Sequence, residues 1–353
     1  MNTIEKLQQD VDLDRLQDWM ERENIGTGKI CNAQLLTGGT QNILIKFDRG
    51  SETYVLRMPG KYAANVSKKS ITREYRLLRA LEGSEIPRPR PIAESTDCDV
   101  LGEPFYLMSA VDGFNPTVSP LKSPHADSDG IRREMGFAMV DVIAKLANLD
   151  IEKVGLGSFG NPDGFLERQV ARWKRQLEDY TRYDGWPGSK SLPEVEAVGA
   201  WLEQNRPGNF KKGLLHGDYH FANIMFCHDS PKIAAVVDWE LATVGAPLLD
   251  LGYLVATWPE PDGTHYSRVP VTPWRGFPTA AELIQRYRDQ TNQDMASVSW
   301  YSVLACYKFA IILEGTYARA CAGQADADTG MRLHLAASGL MKRAETWVTV
   351  GHH

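Results

Sequence analysis

Paired cysteines, long apolar runs and blocks of like charge are all missing from this chain of 353 residues. Its five cysteines, Cys31, Cys98, Cys227, Cys306 and Cys321, are odd in number, scattered and without CxxC spacing. A disulfide framework is therefore not expected, and reduced thiols in the cytoplasm are the simplest account. No apolar stretch approaches the length of a membrane span, and the start is neither basic nor apolar enough for a signal peptide, so no membrane association is expected. The formal charge of −6 and the lack of any basic–aromatic array argue against a nucleic-acid partner. Internal repeats and low-complexity tracts are absent too. What remains is a chain long enough for two packed lobes.

The informative stretch is His216-Gly217-Asp218, with Asn223 and then Asp238-Trp239-Glu240 behind it. Ile224–Phe226 and Ile233–Val237 read as two short strands joined by a turn at Asp229-Ser230-Pro231. One acid and one amide precede the first strand, and a second acid ends the next. Such a set can hold a divalent cation against a triphosphate while a separate carboxylate faces an incoming hydroxyl, which is most of what phosphoryl transfer needs. Oxygen donors of the Asn223 and Asp238 kind suit Mg²⁺. A carboxylate such as Asp218 can orient an alcohol, and His216, ahead of a turn, reads as a residue that orients the loop through backbone.

These motifs, followed by Gly245-Ala246-Pro247-Leu248-Leu249-Asp250-Leu251, resemble the aminoglycoside phosphotransferase family, relatives of choline and protein kinases. The nearest branch by resemblance is the kinase-like domain fused to some acyl-CoA dehydrogenases. The likeness runs roughly from Leu35 to Arg319. It implies a two-lobed kinase-like fold, ATP (or GTP) with Mg²⁺, and phosphorylation of a small-molecule alcohol. By the same likeness Asp218 is the catalytic aspartate, Asn223 and Asp238 are metal ligands, and Asp250 braces the catalytic loop.

The first part of the chain can be set against that pattern. Gln34 to Phe47 reads as strand, polar turn, strand, and the turn at Gly38, Gly39 and Thr40 can fold over phosphates because glycine lets backbone N–H groups approach. The strand Tyr54–Arg57 ends in arginine where the family carries a phosphate-binding lysine. A guanidinium grips phosphate bidentately but is larger and planar. Glu74, on a helix over 67–81, is the partner that the resemblance gives Arg57; read by itself it is a solvated Glu beside Arg73 and Arg76. Pro87 to Pro91 is a stiff connection unsuited to helix or ladder pairing. Phe105–Val111 reads as a strand whose backbone from Ser109 to Val111 would meet adenine, with the boundary between lobes falling at 110/111.

Helices are expected over 129–150 (capped by Asp129), 162–182, 192–204, 247–258, 279–291, 297–320 and 328–348, and an amphipathic one at the start carries Ile4, Leu7, Val11, Leu16, Trp19 and Met20. Strands first and helices later give an α+β class, with a small antiparallel β lobe and a large, mainly helical one. The acceptor pocket is sought among Tyr219, His220, Tyr253, Trp258, Tyr301, Glu314, Tyr317 and Arg319, with the Pro- and Gly-rich loop 259–278 as specificity element. Glu314 interrupts an apolar run and needs a partner, for which Lys308 and Arg319 are nearest in sequence. Arg168, Arg172, Lys174 and Arg175 form either a solvated basic face or a patch for phosphate or CoA.

Look-alikes are set aside. Gly26-Thr27-Gly28-Lys29 lacks the leading glycine of a P-loop, and His216 with His220 has zinc spacing but an intervening glycine. No Ala-Pro-Glu segment and no activation loop follow Asp238, which argues against a protein kinase. The alternative to a small-molecule kinase is a nucleotide-binding pseudokinase with a scaffolding or regulatory role, motivated by Arg57. Among acceptors the branch resemblance favours a hydroxyacyl-CoA or another metabolite alcohol. A polycationic drug does not fit a tail from Asp326 to His353 whose only acids are Asp326, Asp328 and Glu345.

Overall fold

The computed structural model describes residues 11–36, 42–60, 66–266 and 270–350. The chain forms two compact units, Met1–Gly113 with Ala234–Glu240, and Phe114–Ile233 with Leu241–His353. The return of 234–240 to the first unit is a discontinuity for which a linear division at 110/111 has no place.

In the first unit, five antiparallel strands lie in the order β1-β2-β3-β5-β4. They are β1 Ile30–Leu35, β2 Asn42–Arg49, β3 Glu52–Pro59, β4 Pro91–Ser95 and β5 Phe105–Ser109. The stiff proline segment does pair, because its last proline opens an edge strand, where a missing N–H costs nothing. Alternation sends Tyr54, Leu56 and Met58 of β3 into a core with Ile45, Phe47, Phe105 and Leu107. Helix α1, Leu13–Arg22, closes that core with Leu16, Trp19 and Met20, and the Trp19 ring meets Phe105 edge-on at 4.8 Å. The part of the expected first helix before Val11 lies outside the described residues. The other face of β3 carries Val55 and Arg57 and is covered by α2, Val66–Ala80, whose buried side holds Ile71, Glu74, Leu77 and Leu78 at helical spacing. A short α3, Cys98–Leu101, precedes β5.

The second unit is mainly helical: α4 Asp129–Asn148, α5 Glu167–Glu178, α6 Val195–Gln204, α7 Leu248–Thr257, α8 Ala280–Gln290, α9 Val298–Cys321 and α10 Ala327–Val350. The cap of α4 is Ser128 rather than Asp129: its Oγ accepts the Ile131 amide, while Asp129 pairs with Arg132 and Arg275. Short strands β6 Gly213–Leu215 and β7 Thr243–Gly245 pair antiparallel. They bracket the functional loop between them.

The segment Met295–Cys321 is long and apolar enough to cross a membrane by length and composition, which corrects the expectation that no stretch approaches that length. Of its most apolar window, 72% is buried inside the protein, as a central core helix would be. Helix α7 packs on it so closely that a Cβ on Gly252 would lie 2.5 Å from the Tyr301 carbonyl oxygen.

Gly252→Ala must therefore push α7 off α9 and is expected to cost about 1–3 kcal/mol, read as a lower urea midpoint; an unchanged midpoint would mean that the contact yields freely. At α8, Thr279 and Glu282 form a reciprocal capping box, and Glu282 also pairs with Arg133 at 2.5 Å. The Arg133 and Thr279 hydrogen bonds hold the Glu282 carboxyl at about 2, below its ordinary 4.5. A depressed folded pKa gives stability that is present above the ordinary value and lost as pH falls toward 2. Glu282→Gln should therefore be less stable than wild type at neutral pH, by about 0.5–1 kcal/mol for this exposed pair and cap. The gap should close between about pH 4.5 and 2; a gap constant with pH would remove the charge from the account.

Candidate active site

In the second unit, β6 delivers the chain to His216-Gly217-Asp218, and the loop is held from below by Asp250 in the first turn of α7. Asp250 is 1% exposed. Its Oδ2 accepts the His216 amide at 2.6 Å and its Oδ1 the Gly217 amide at 2.8 Å. Burial is the largest influence on this carboxyl and lifts it to about 7, against the two amides and Lys308, which favour the charged form. Gly217 has φ +84°, and a Cβ there would sit 2.5 Å from the Leu241 carbonyl oxygen, so only glycine passes the turn. His216 is fully buried, and its Nδ1 accepts the Asp218 amide at 3.3 Å.

The same loop brings Asp218 and Asn223 together. Asn223 Nδ2 donates to Asp218 Oδ2 at 3.0 Å and to the Asp218 carbonyl at 2.9 Å. The nitrogen is thereby fixed, and the amide oxygen is the atom left to offer. His220 Nδ1 accepts the Ala222 amide at 3.2 Å, which puts the proton of a neutral ring on Nε2, 3.4 Å from Asp218 Oδ2. Asp218 Oδ1, by contrast, is buried and has no hydrogen-bond partner. Burial pushes the Asp218 carboxyl up, but His220, Lys308 and His216 together outweigh it and bring it to about 2, so the group is a carboxylate at neutral pH.

Lys308 of α9 completes this arrangement. It is 4% exposed, donates to the Gly217 carbonyl, and stands over the Tyr253 ring at 4.7 Å and the Trp173 ring at 5.3 Å. Desolvation lowers its pKa to about 8. Asn115 fastens the loop's far end, its Nδ2 reaching the carbonyls of Phe221, Ala222 and Ile224 at 3.2, 2.6 and 3.2 Å.

In the first unit, Arg57 is the hub. Its side chain is 6% exposed, with Nε 2.8 Å from Glu74 Oε2 and Nη2 2.8 Å from Asp238 Oδ1 and 3.4 Å from Glu240 Oε2. The Nε contact is an ion pair whose hydrogen is not aligned on the oxygen. Glu74 is buried, takes the Trp239 amide at 3.1 Å on Oε1 and is hydrogen-bonded by Tyr106. Asp238 adopts φ +65°, a left-handed conformation that Asp tolerates. Asn42 Nδ2 donates to Glu240 at 3.0 Å. Burial, then Asp238, pushes the Glu240 carboxyl up to about 7. Ser109 gives its amide to the Arg90 carbonyl at 2.9 Å, while the Val111 amide has no protein partner among the described residues. Gly38, Gly39 and Thr40 lie outside the described residues.

Of the acceptor candidates, His220 and Tyr253 come to Asp218. Tyr219 and Trp258 are core residues whose polar atoms are taken by the Met139 and Pro278 carbonyls, and Tyr301 is buried. Glu314 is paired neither with Lys308 nor with Arg319. It takes Trp186 Nε1 at 2.9 Å, Ser191 Oγ at 3.1 Å and His334 Nδ1 at 2.7 Å, and His334 stacks on Tyr317. Arg319 reaches Thr316 instead. The zinc look-alike fails, since both Nδ1 atoms are spent on backbone amides. Sequence reasoning gave no role to Glu240, Asn115 or Tyr106. The signal for Lys308 was there: a lone ammonium in an apolar helix needs a buried acceptor.

Residues 33–301 match the model of the phosphotransferase enzyme family, APH. Acyl-CoA dehydrogenase family member 11 of Pongo abelii is 30% identical over 328 residues, covering 88% of this chain and 40% of the relative. The chain thus spans less than half of that protein's length. A protein of Ralstonia eutropha JMP134 assigned as an aminoglycoside phosphotransferase has a solved structure that superposes with TM-score 0.75 at 26% identity, covering 95% of this chain and 99% of that one. A thermostable mutant of aminoglycoside phosphotransferase APH(4)-Ia, solved in a ternary complex with AMP-PNP and hygromycin B, shares the fold at TM-score 0.57 and 14% identity, covering 93% and 98%. The chain has the α+β, kinase-like fold of these proteins and belongs to the phosphotransferase enzyme family.

Proposed function

We propose that this chain is an ATP-dependent small-molecule O-phosphotransferase, with GTP as the other nucleotide to test and a metabolite alcohol, such as a hydroxyacyl-CoA, as acceptor. The observation that carries the reading is the bare Oδ1 of Asp218: Oδ2 is held by Asn223 and His220, and Oδ1 is buried without a partner. An acceptor hydroxyl donating to Oδ1 would be oriented for in-line attack. With its carboxyl at about 2, Asp218 acts by positioning and takes the proton late, as the new ester bond forms and the bond to ADP breaks.

Asn223 through its amide oxygen and Asp238 through the oxygen not on Arg57 are the proposed ligands for Mg²⁺, which when bound neutralises phosphate charge. Arg57 is proposed to meet the phosphates, kept in place by Glu74, with the Val111 backbone at adenine and Gly38, Gly39 and Thr40 over the phosphates. His216 and Asp250 support the loop. A cytoplasmic setting suits the five free cysteines.

The test is ADP release with Mg²⁺-ATP and Mg²⁺-GTP over hydroxyacyl-CoAs, sugars, homoserine, choline and aminoglycosides. Asp218→Ala should lower acceptor-dependent turnover by about 10²–10⁴-fold; full activity in that variant would sink the assignment. The pseudokinase reading keeps one observation in its favour, the direct hold of Arg57 on Asp238 and Glu240. Protection of the fold by Mg²⁺-ATP without turnover on any acceptor would favour it. In either case Arg57→Met leaves three acids without their cation and should cost about 3–5 kcal/mol of stability, measured by chemical unfolding. A loss below about 1 kcal/mol would show the cluster to be well hydrated.

A further inference from the structure

The helix α5 carries several cations, and they do not behave alike. Lys174 pairs with Glu196 at 2.8 Å, and Arg168 is used up on the carbonyls of Asp163 and Asn161. Arg172 has no carboxylate in ion-pairing distance among the described residues. Its guanidinium lies 5.0 Å over the Trp173 ring, the same ring that Lys308 Nζ approaches at 5.3 Å. Two cations therefore share one indole; Lys308 is bonded to the carbonyl of the residue before Asp218 and answers the charges of Asp218 and Asp250, which leaves Arg172 as the one of the two without an acid. The second observation is independent. Tyr253, fully buried and under Lys308 Nζ at 4.7 Å, has a hydroxyl with no hydrogen-bond partner. Buried hydroxyls are ordinarily satisfied, and this one still has its hydrogen-bonding capacity to offer. Tyr253 lies close enough to both Asp218 and Arg172 to feel their charges, and Arg172 is held below the usual arginine range by desolvation and by Arg168.

We propose that the alcohol accepted by this chain carries an anionic group, carboxylate or phosphate, gripped by Arg172 and Tyr253 while its hydroxyl meets Asp218 Oδ1. The inference rests on the phosphotransfer reading for the hydroxyl but not for the anion. A planar guanidinium with no internal acid to satisfy it suits a carboxylate or phosphate. Lys308 offsets the charge of Asp218, so an anion can approach Arg172 without facing a net negative wall. A polycationic acceptor would instead meet two cations at the same place.

The experiment separates binding from turnover. Calorimetric titration of the full chain with 3-hydroxybutyrate, 3-hydroxybutyryl-CoA and glycerol 3-phosphate is compared with methyl 3-hydroxybutyrate and glycerol, without nucleotide. At least one anionic probe should bind about tenfold or more tighter than its neutral counterpart, and Arg172→Gln should abolish that preference while Arg172→Lys restores part of it. Arg172 is itself exposed, and Arg175→Gln, which removes another exposed cation of the same helix, should leave the preference intact. The probe that shows the effect tells carboxylate from phosphate recognition. Equal binding of charged and neutral probes, no binding of any, or an equal loss in Arg175→Gln would overturn the proposal. An Arg172-dependent anion preference with no ADP release would leave the anion site standing and remove the kinase reading. Where turnover is seen, Arg172→Gln should act on KM for the anionic acceptor and not on KM for ATP.

Discussion

Two backbone amides donated to one buried carboxylate hold the geometry on which the second unit's chemistry depends. Asp250 fixes His216 and Gly217 at 2.6 and 2.8 Å, and everything downstream is set from that grip: the left-handed Gly217, the amide of Asp218 on His216, and the Asn223 nitrogen on Asp218. A carboxylate so enclosed is costly unless its field is answered. Lys308 supplies the answer from α9, through the Gly217 carbonyl and across the Tyr253 ring. The loop is thus clamped between a carboxyl group on its amides and a cation on its carbonyl, which leaves little freedom in where Asp218 points.

The first unit solves a different problem with one residue. Three acids, Glu74, Asp238 and Glu240, converge on Arg57, and only a forked, permanently charged donor can serve all three. A lysine at the same place could answer one or two of them but not spread its charge across the fork. The arginine at position 57 and the presence of Glu240 two residues after Asp238 are physically one feature. The acids remain over-supplied relative to the cation, as the rise of Glu240 to about 7 reflects. Additional positive charge is what this cluster lacks.

The parts of this structure that were legible in the sequence are those carried by short spacing. The strand ending at Arg57 and the helix carrying Glu74 could be read from local pattern, whereas the burial of Glu74 against Arg57 was implied by the family resemblance alone, and His216-Gly217-Asp218 with Asn223 lies within one loop. What was not legible depends on long sequence separation. Lys308 meets Gly217 across 91 residues, and Asn115 meets Ala222 across 107. Glu314 was correctly seen to need partners, but the nearest cations in sequence are not the nearest in space, and its actual ones come from α10 and the 186–191 segment. Local pattern also misled at Pro91, because whether proline can join a sheet depends on lying at its edge, which is a property of the whole sheet.

Likeness of fold and likeness of site part company at the acceptor. The shared fold at 14% identity with an enzyme solved with hygromycin B fixes how the chain is wound, not which alcohol it takes. An acceptor with several ammonium groups requires acids that are free to meet it. In the second unit the acids described above are already committed: Asp250 to two amides, Asp218 Oδ2 to Asn223 and His220, and Glu314 to Trp186, Ser191 and His334. Arg172, which shares the Trp173 ring with Lys308, has no carboxylate in ion-pairing distance among the described residues. On the anion-site reading proposed above, the arrangement that leaves Asp218 Oδ1 bare would turn the acceptor preference away from polycations and toward an anion-bearing alcohol, since a site attracts what its unspent charge lacks.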